Sequence, residues 1–362
     1  MTDSTLRVAI VGAGVIGEIH ADAICRSASF TVGAIVNRDP AKAELLADRV
    51  EQQTGTRPAV FGALDDAWDR CDVVSICTPS GTHSELAIAA IRAGKHTLIE
   101  KPIDVRLDRA MAIHRAVQDA PGVQCSVISQ HRFDPASTIV RSAIEQGRLG
   151  RLTSGVALLP WWRSDGYYAS ASWRGTRLLD GGGALMNQGI HTLDLMLWML
   201  GPVRSVQAQQ GLLGHEGLEV EDTLGATLVF ESGAIGVLLV STAAYPQIPA
   251  RVQVHGTRGT ATIEGDRLEY FHSSSEDRAG VRHDSAGGEN MAARELAAID
   301  AHEVAMGDSH GRQYEDFAMA IRRGDSPLVT TAEAIQTLAT VDALYRSALT
   351  GESVDVSLEP GS

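Results

Sequence analysis

Residues 6–26 limit the possible folds more than any other stretch. Leu6 to Val11 is a β-branched run, Gly12-Ala13-Gly14-Val15-Ile16-Gly17 follows at once, and a helical stretch from Glu18 to Arg26 comes next. The G-x-G-x-x-G spacing is weak alone, but between a strand and a helix it reads as a dinucleotide-binding turn. Gly12 then permits the tight turn, Gly14 the close approach of a pyrophosphate, and Gly17 the packing of helix on strand. Val15 and Ile16, between the glycines, join the cofactor-binding residues, and the N-terminus of the following helix faces the phosphates. A plain glycine turn is the competing account, and the flanking strand and helix argue against it.

The pattern then repeats. Strands at Thr31–Val36, 72–78, His96–Ile99 and Val123–Ser129 alternate with helices at 40–53, 83–94 and 107–119. This spacing predicts an α/β fold, an N-terminal Rossmann doubly wound parallel sheet with right-handed crossovers. After about residue 135 the composition changes. A helix at 135–146 ends at Gly147, and short alternating strands follow at Leu152–Leu159, Val203–Gln210, Thr223–Phe230, Ala234–Ser241, Val252–His255 and Thr260–Ile263. Glu231-Ser232-Gly233 and Gly256-Thr257-Arg258-Gly259 read as hairpin turns, so a C-terminal α/β domain with a mostly antiparallel open sheet is expected. The stretch 273–292 reads as a mobile loop, and helices near 311–323 and 331–349 close the chain. With 362 residues, two domains are the prior: a dinucleotide-binding domain over 1–130 and a substrate-binding and oligomerisation domain over 131–362, with the closing helices available to pack back on the first.

Ligands bind at the carboxyl ends of strands in such a sheet. Twenty residues after Gly17, where an NAD site usually carries an acid for the ribose, this chain has Asn37 and Arg38. A neutral amide beside a guanidinium suits a 2′-phosphate, a lean towards NADP; the alternative is that Asp39 or a backbone group holds NAD. Thr78 ends the 72–78 strand, and the loop from Pro79 to His83 that follows forms a wall of the nucleotide site. Glu100-Lys101-Pro102 ends the His96–Ile99 strand. Burial lowers a lysine's pKa and makes it a usable acid or base, although a strand-end salt bridge explains the same residues.

Downstream, Gly181-Gly182-Gly183 opens into a run in which Asn187, His191 and Asp194 fall at i, i+4 and i+7 of one helix. A polar stripe on an apolar helix is costly to bury without partners, so a polar ligand explains it; a core histidine bonded to Asp194 is the structural alternative. Trp161-Trp162-Arg163, Tyr167-Tyr168 and Trp173-Arg174 precede it. Aromatic faces stack on sugar C–H faces and arginine holds hydroxyls or carboxylates, whereas core or interface stacking is the plainer account.

Composition excludes several classes. A net charge of -14 argues against a nucleic-acid surface, which needs clustered Lys and Arg. The longest apolar run, Leu195 to Leu200, is too short for a bilayer, and the N-terminus lacks the regions of a signal peptide. The four cysteines have no CxxC spacing, so reduced thiols in a cytoplasmic protein are expected, with neither disulfide nor metal site.

Gly12-x-Gly14-x-x-Gly17, Glu100-Lys101-Pro102 and Gly181-Gly-Gly…Gly189-Ile-His191-x-x-Asp194 together resemble the glucose-fructose oxidoreductase / inositol dehydrogenase / rhizopine catabolism (Gfo/Idh/MocA) family over nearly the whole chain. The resemblance implies an NAD or NADP cofactor and hydride transfer at a secondary alcohol or ketone of a sugar, sugar derivative or cyclitol. It also implies homodimers or homotetramers packed through the open sheet face. Lys101 and His191 match the family's catalytic pair, and Glu100 and Lys101 join the cofactor-binding residues. Lys101, Arg132, Trp162, Arg163, Tyr168, Trp173, Asn187 and His191 are the expected substrate contacts. Inositol dehydrogenase-like members carry Asp where this chain has Asn187. Asn takes no proton, so Lys101 or His191 is left as the base. Two other outcomes are known among relatives, an NAD-dependent glycoside hydrolase and a nucleotide-sensing regulator. A sensor would need neither Lys101 nor His191.

Overall fold

The computed structural model describes residues 5–274, 288–298 and 308–359 and divides into two units. One runs to Gln130 and takes in a returning segment that ends at Leu338; the other starts at His131 and resumes at Ala339.

In the first unit, β1 (Leu6–Val11), α1 (Val15–Arg26), β2 (Phe30–Val36), α2 (Pro40–Thr54), β3 (Ala59–Phe61), β4 (Val73–Ile76), α3 (His83–Arg92), β5 (His96–Ile99), α4 (Leu107–Gln118) and β6 (Cys125–Val127) follow in order. The six strands are parallel, in the order β3-β2-β1-β4-β5-β6. Strand order reverses between β1 and β4, which opens a crevice outside their carboxyl ends. The strands are continuous apolar runs because both faces are covered: Val8, Ile10, Val73 and Ile76 are all fully buried. The helix Ser309–Arg323 adds Tyr314 and Phe317 to the same core as Ile10, Ile24 and Phe30. Full burial of one such side chain contributes about 1.5–3 kcal/mol.

The sequence reading starts α1 three residues late. Gly14 is its N-cap, and the β-branched Val15 and Ile16 already lie in the first turn. β3 escaped the sequence reading, since three residues carry too little periodicity.

The second unit holds α5 (Pro135–Glu145), β7 (Leu152–Pro160), α6 (Asp165–Ala169), a π-helical turn Ala184–Gly189, α7 (Ile190–Leu200) and β8 (Val203–Gly211). Strands β9 (Thr223–Phe230), β10 (Ile235–Ser241), β11 (Arg251–Gly256), β12 (Gly259–Glu264), β13 (Arg267–Ser273) and β14 (Val354–Asp355) complete it. Their order is β13-β12-β11-β7-β10-β9-β8-β14; β7 and β10 run parallel and the other neighbours antiparallel. α7 packs on β7 and β11, and Gly155 of β7 leaves just enough room for Leu200. On β10, Ile235, Val237 and Leu239 are 56%, 44% and 46% exposed.

The expected loop at 273–292 is a loop only in part. Ser273 ends β13, Ala292–Ala297 is helical, and 275–287 lies outside the described residues. The closing helices are Ser309–Arg323 and Thr331–Thr350. Among the described residues no helix is long and apolar enough to cross a membrane.

Candidate active site

Gly12, Asn37, Arg38, Glu100 and Lys101 follow β1, β2 and β5 directly and Thr78 and Pro79 follow β4, while Val15 to Gly17 open α1 and His83 opens α3. Gly12 follows β1 at φ +106°, and a Cβ there would stand 2.6 Å from the Cys77 carbonyl oxygen. A Cβ on Gly17 would stand 2.0 Å from the Gly12 oxygen, so neither position admits a side chain. Around Gly14 the space is open, which suits the close passage of a pyrophosphate. The glycine turn therefore fits a dinucleotide on its own stereochemistry.

Asn37 ties the end of β2 to this turn: its Oδ1 accepts from Ala13 N at 3.4 Å and its Nδ2 donates to Asp39 O at 2.9 Å. The Asp39 carboxylate caps α2, accepting from Ala41 N at 3.1 Å. Arg38 is exposed and, among the described residues, makes no ion pair.

Two of the expected cofactor residues, His83 and Glu100, make bracing hydrogen bonds. His83 is fully buried, with its ring nitrogens 2.8 Å from Pro102 O and 2.9 Å from Thr78 O, so it ties the loop after β4 to the loop after β5. Thr82 Oγ1 donates to Thr78 Oγ1 at 2.8 Å and stiffens the turn that carries Pro79. Glu100 is 5% exposed; one carboxylate oxygen lies 2.9 Å from His20 Nε2, and the other accepts from Lys101 N at 3.0 Å. His20 is in turn 2.9 Å from both Ser75 Oγ and the Tyr314 hydroxyl. Burial works to raise the Glu100 pKa, but His20, Lys101 and His310 outweigh it and hold the carboxyl at about 2. An ionised, enclosed carboxylate thus fixes the backbone of Lys101.

In the second unit, the triple glycine exists because two groups press on it. A Cβ on Gly182 would stand 2.1 Å from the Tyr345 hydroxyl, and one on Gly183 1.6 Å from Glu221 O. The buried Glu221 carboxylate accepts from Gly183 N and Leu185 N, both at 2.9 Å, and from the Tyr345 hydroxyl at 2.9 Å. Burial pushes this carboxyl up, with those three donors working against the shift. Glu221 therefore anchors the π-turn that carries Asn187 and Gln188 and leads into α7 with His191. One α-helix through 187, 191 and 194 is not what forms, because a π-turn interrupts the spacing expected there.

Asp194 is committed elsewhere. Arg132 Nε and one terminal nitrogen donate to its two oxygens at 2.8 and 2.7 Å, both residues are buried, and the guanidinium lies 5.5 Å over Trp198. Arg132, expected as a substrate contact, is 2% exposed and forms a buried ion pair with Asp194. His191 is half-buried, and the His131 ring stands edge-on to it with centroids 5.4 Å apart. Burial opposes charge on His131, but Asp134 at 2.8 Å and Asp266 at 3.5 Å outweigh it and raise its pKa to about 9.

The aromatic stretch divides into two clusters. Trp162 stacks on His215 at 5.6 Å, and Tyr168 bonds Thr242 Oγ1 at 2.8 Å while its ring stands edge-on to His215. Arg163 lies over Trp161 and Tyr167, and Arg174 over Tyr167 and Trp173. Gln188 connects this second cluster to Asn187, donating to Asn187 Oδ1 at 2.8 Å and to the Tyr167 hydroxyl at 3.0 Å while accepting from Arg163 at 3.0 Å. Asn187 Nδ2 donates to the buried Asp180. His20, Asp180, Gln188, Glu221 and Tyr345 were not anticipated from the sequence. Only the glycine triplet hinted that something bulky stands close.

The first unit's parallel sheet with its open glycine crevice is a dinucleotide-binding fold, and the second unit carries a mostly antiparallel sheet. Residues 6–129 match a family described as an oxidoreductase family with an NAD-binding Rossmann fold, and residues 138–262 match the GFO/IDH/MocA C-terminal domain. Inositol 2-dehydrogenase of Rhizobium meliloti is 28% identical over 98% of this chain and 100% of its own. Levoglucosan dehydrogenase of Pseudarthrobacter phenanthrenivorans is 28% identical over 97% of this chain and 98% of its own. The solved WlbA dehydrogenase of Bordetella pertussis, in complex with NADH and UDP-GlcNAcA, superposes with a TM-score of 0.85 at 30% identity, covering 99% of this chain and 100% of that one. The chain belongs to the Gfo/Idh/MocA oxidoreductase family and is an NAD(P)-dependent dehydrogenase.

Proposed function

We propose that this dehydrogenase interconverts a secondary alcohol and a ketone on a sugar, sugar derivative or cyclitol, with Lys101 and His191 as its acid–base groups. The relatives named for inositol and levoglucosan support that substrate class. The nicotinamide, when bound, exchanges hydride with the carbinol carbon. Lys101 or His191 takes the hydroxyl proton as the alcohol is oxidised and returns it in the reverse direction. Asn187 holds a substrate hydroxyl by hydrogen bonding. Thr78 and Pro79 wall the nucleotide, Gly12 to Gly17 cradle its phosphates, and Asn37 with Arg38 favours the 2′-phosphate of NADP.

The observation that carries this reading is the Glu100 brace. A carboxylate buried in the fold and bonded to Lys101 N at 3.0 Å fixes one lysine's backbone at the carboxyl end of β5, where ligands of such sheets bind. Replacement of Lys101 by Ala is expected to lower kcat about 10²–10⁴-fold, the usual worth of general acid–base help, with cofactor affinity retained. Turnover within a factor of a few of wild type, measured by reduced-nicotinamide absorbance, would contradict the assignment.

The exposed β10 face supports self-association. Val237 and Leu239 pair in register with Val156 and Leu158 of β7, giving an apolar strip suited to a second copy in a homodimer or homotetramer.

A further inference from the structure

Two cations in the second unit make no ion pair among the described residues. Arg163 and Arg174 both lie on the Tyr167 ring, 5.0 and 4.2 Å from its centroid, and each also covers a tryptophan, Trp161 at 5.0 Å and Trp173 at 4.6 Å. Among the described residues neither guanidinium is ion-paired. Arg163 donates to Trp162 O at 3.4 Å and Gln188 Oε1 at 3.0 Å, and its buried Nε finds no acceptor. Arg174 donates to Ser170 Oγ at 3.1 Å and the Tyr167 hydroxyl at 2.5 Å. Every acceptor is neutral. The nearby carboxylate, Asp180, instead receives Gly175 N at 2.8 Å and the Asn187 amide.

Half-buried arginines are normally neutralised, because a guanidinium out of bulk water repels its like and needs an anion. Aromatic faces offset only part of that cost. Arg163 connects to Asn187 of the proposed substrate site through Gln188, and Arg174 connects to Gln188 through the Tyr167 hydroxyl. A planar guanidinium fork matches the two oxygens of a carboxylate or phosphate, and the surrounding rings suit the C–H face of a pyranose.

We propose that Arg163 and Arg174 bind an oxyanion on the substrate, so that the preferred ligand is an acidic sugar carrying a carboxylate or a phosphate rather than a neutral one. This deepens the proposed dehydrogenase reading and rests on it for the location of the substrate.

The test is titration calorimetry on the NAD(P)H-loaded protein with glucose, glucuronate and glucose 6-phosphate at matched ionic strength, repeated with R163Q and R174Q. The expected result is that at least one of the two anions binds about tenfold or more tightly than glucose, the order of effect of one charge-assisted fork. Each substitution should erase that preference while leaving cofactor affinity unchanged. Whichever anion wins identifies carboxylate or phosphate as the recognised group. Equal affinity for all three, no measurable binding of any, or an anion preference that survives both substitutions overturns the proposal. Deuterium transfer to the oxidised cofactor from the same sugars deuterated at their carbinol carbons is read separately. Anion preference without transfer would overturn the proposed sugar-oxidation reading and keep the oxyanion site, whereas transfer without anion preference would do the reverse.

Discussion

An ionised carboxylate that is nearly out of water has to be matched by donors on every side, and Glu100 is matched by His20 and the Lys101 backbone. Its pKa falls from 4.5 to about 2. A lowered folded-state pKa means that the group's stabilisation is complete above the unfolded value of 4.5 and is lost as pH falls towards 2. Urea midpoints followed from pH 6 to pH 2 should therefore drop less steeply in E100Q than in wild type over that window, from about 4.5 downward. Parallel curves would show that the carboxylate is not held in this way. At Arg38 the expectation concerns cofactor choice. R38Q should weaken NADPH binding about tenfold or more and leave NADH nearly unaffected, since only the 2′-phosphate needs the guanidinium. Equal losses for both cofactors, measured by fluorescence titration, would mean that Arg38 does not read the phosphate.

At the scale of elements, the turn before α7 is set by packing between residues far apart in sequence. Gly183 and Glu221 are 38 positions apart, and Tyr345 lies near the end of the chain. No local pattern announces such partners, so the sequence showed a glycine triplet and an apolar helix but not the π-turn or its anchor. Asp194 illustrates the same limit. Its spacing from His191 suggested a pair within one helix, whereas long-range packing gave it to Arg132. By contrast, the β1–turn–α1 chemistry was readable residue by residue, because the reasons for Gly12 and Gly17 are local. Y345F removes one donor from a buried carboxylate and is expected to cost about 1–3 kcal/mol in denaturant unfolding. A larger fractional loss in kcat than in cofactor affinity should accompany it, since the turn it supports carries Asn187. An unchanged unfolding midpoint would rule out Tyr345 as an anchor.

At the scale of the whole molecule, alternation of strands and helices followed by period-2 strands was enough to anticipate the two sheets and their strand directions. The short edge strands β3 and β14 lay below what periodicity detects. Exposed β10 residues are a different matter, since Ile235, Val237 and Leu239 alternate as core strands do and only the structure reveals which face lacks a cover. If a second copy covers that face, L239E places a charge in the interface and light scattering should report a smaller species than wild type. An unchanged mass would place the self-association surface elsewhere.

The central claim is that a carbinol hydride of a sugar or cyclitol passes to nicotinamide with help from Lys101 and His191. Mass spectrometry of the cofactor after incubation with substrates deuterated at each secondary carbinol carbon tests it directly. The account predicts deuterium in the nicotinamide ring from one labelled position with the wild-type protein, and little within the same time in Lys101→Ala and His191→Ala. No label from any sugar or cyclitol, or equal labelling in all three proteins, would contradict it.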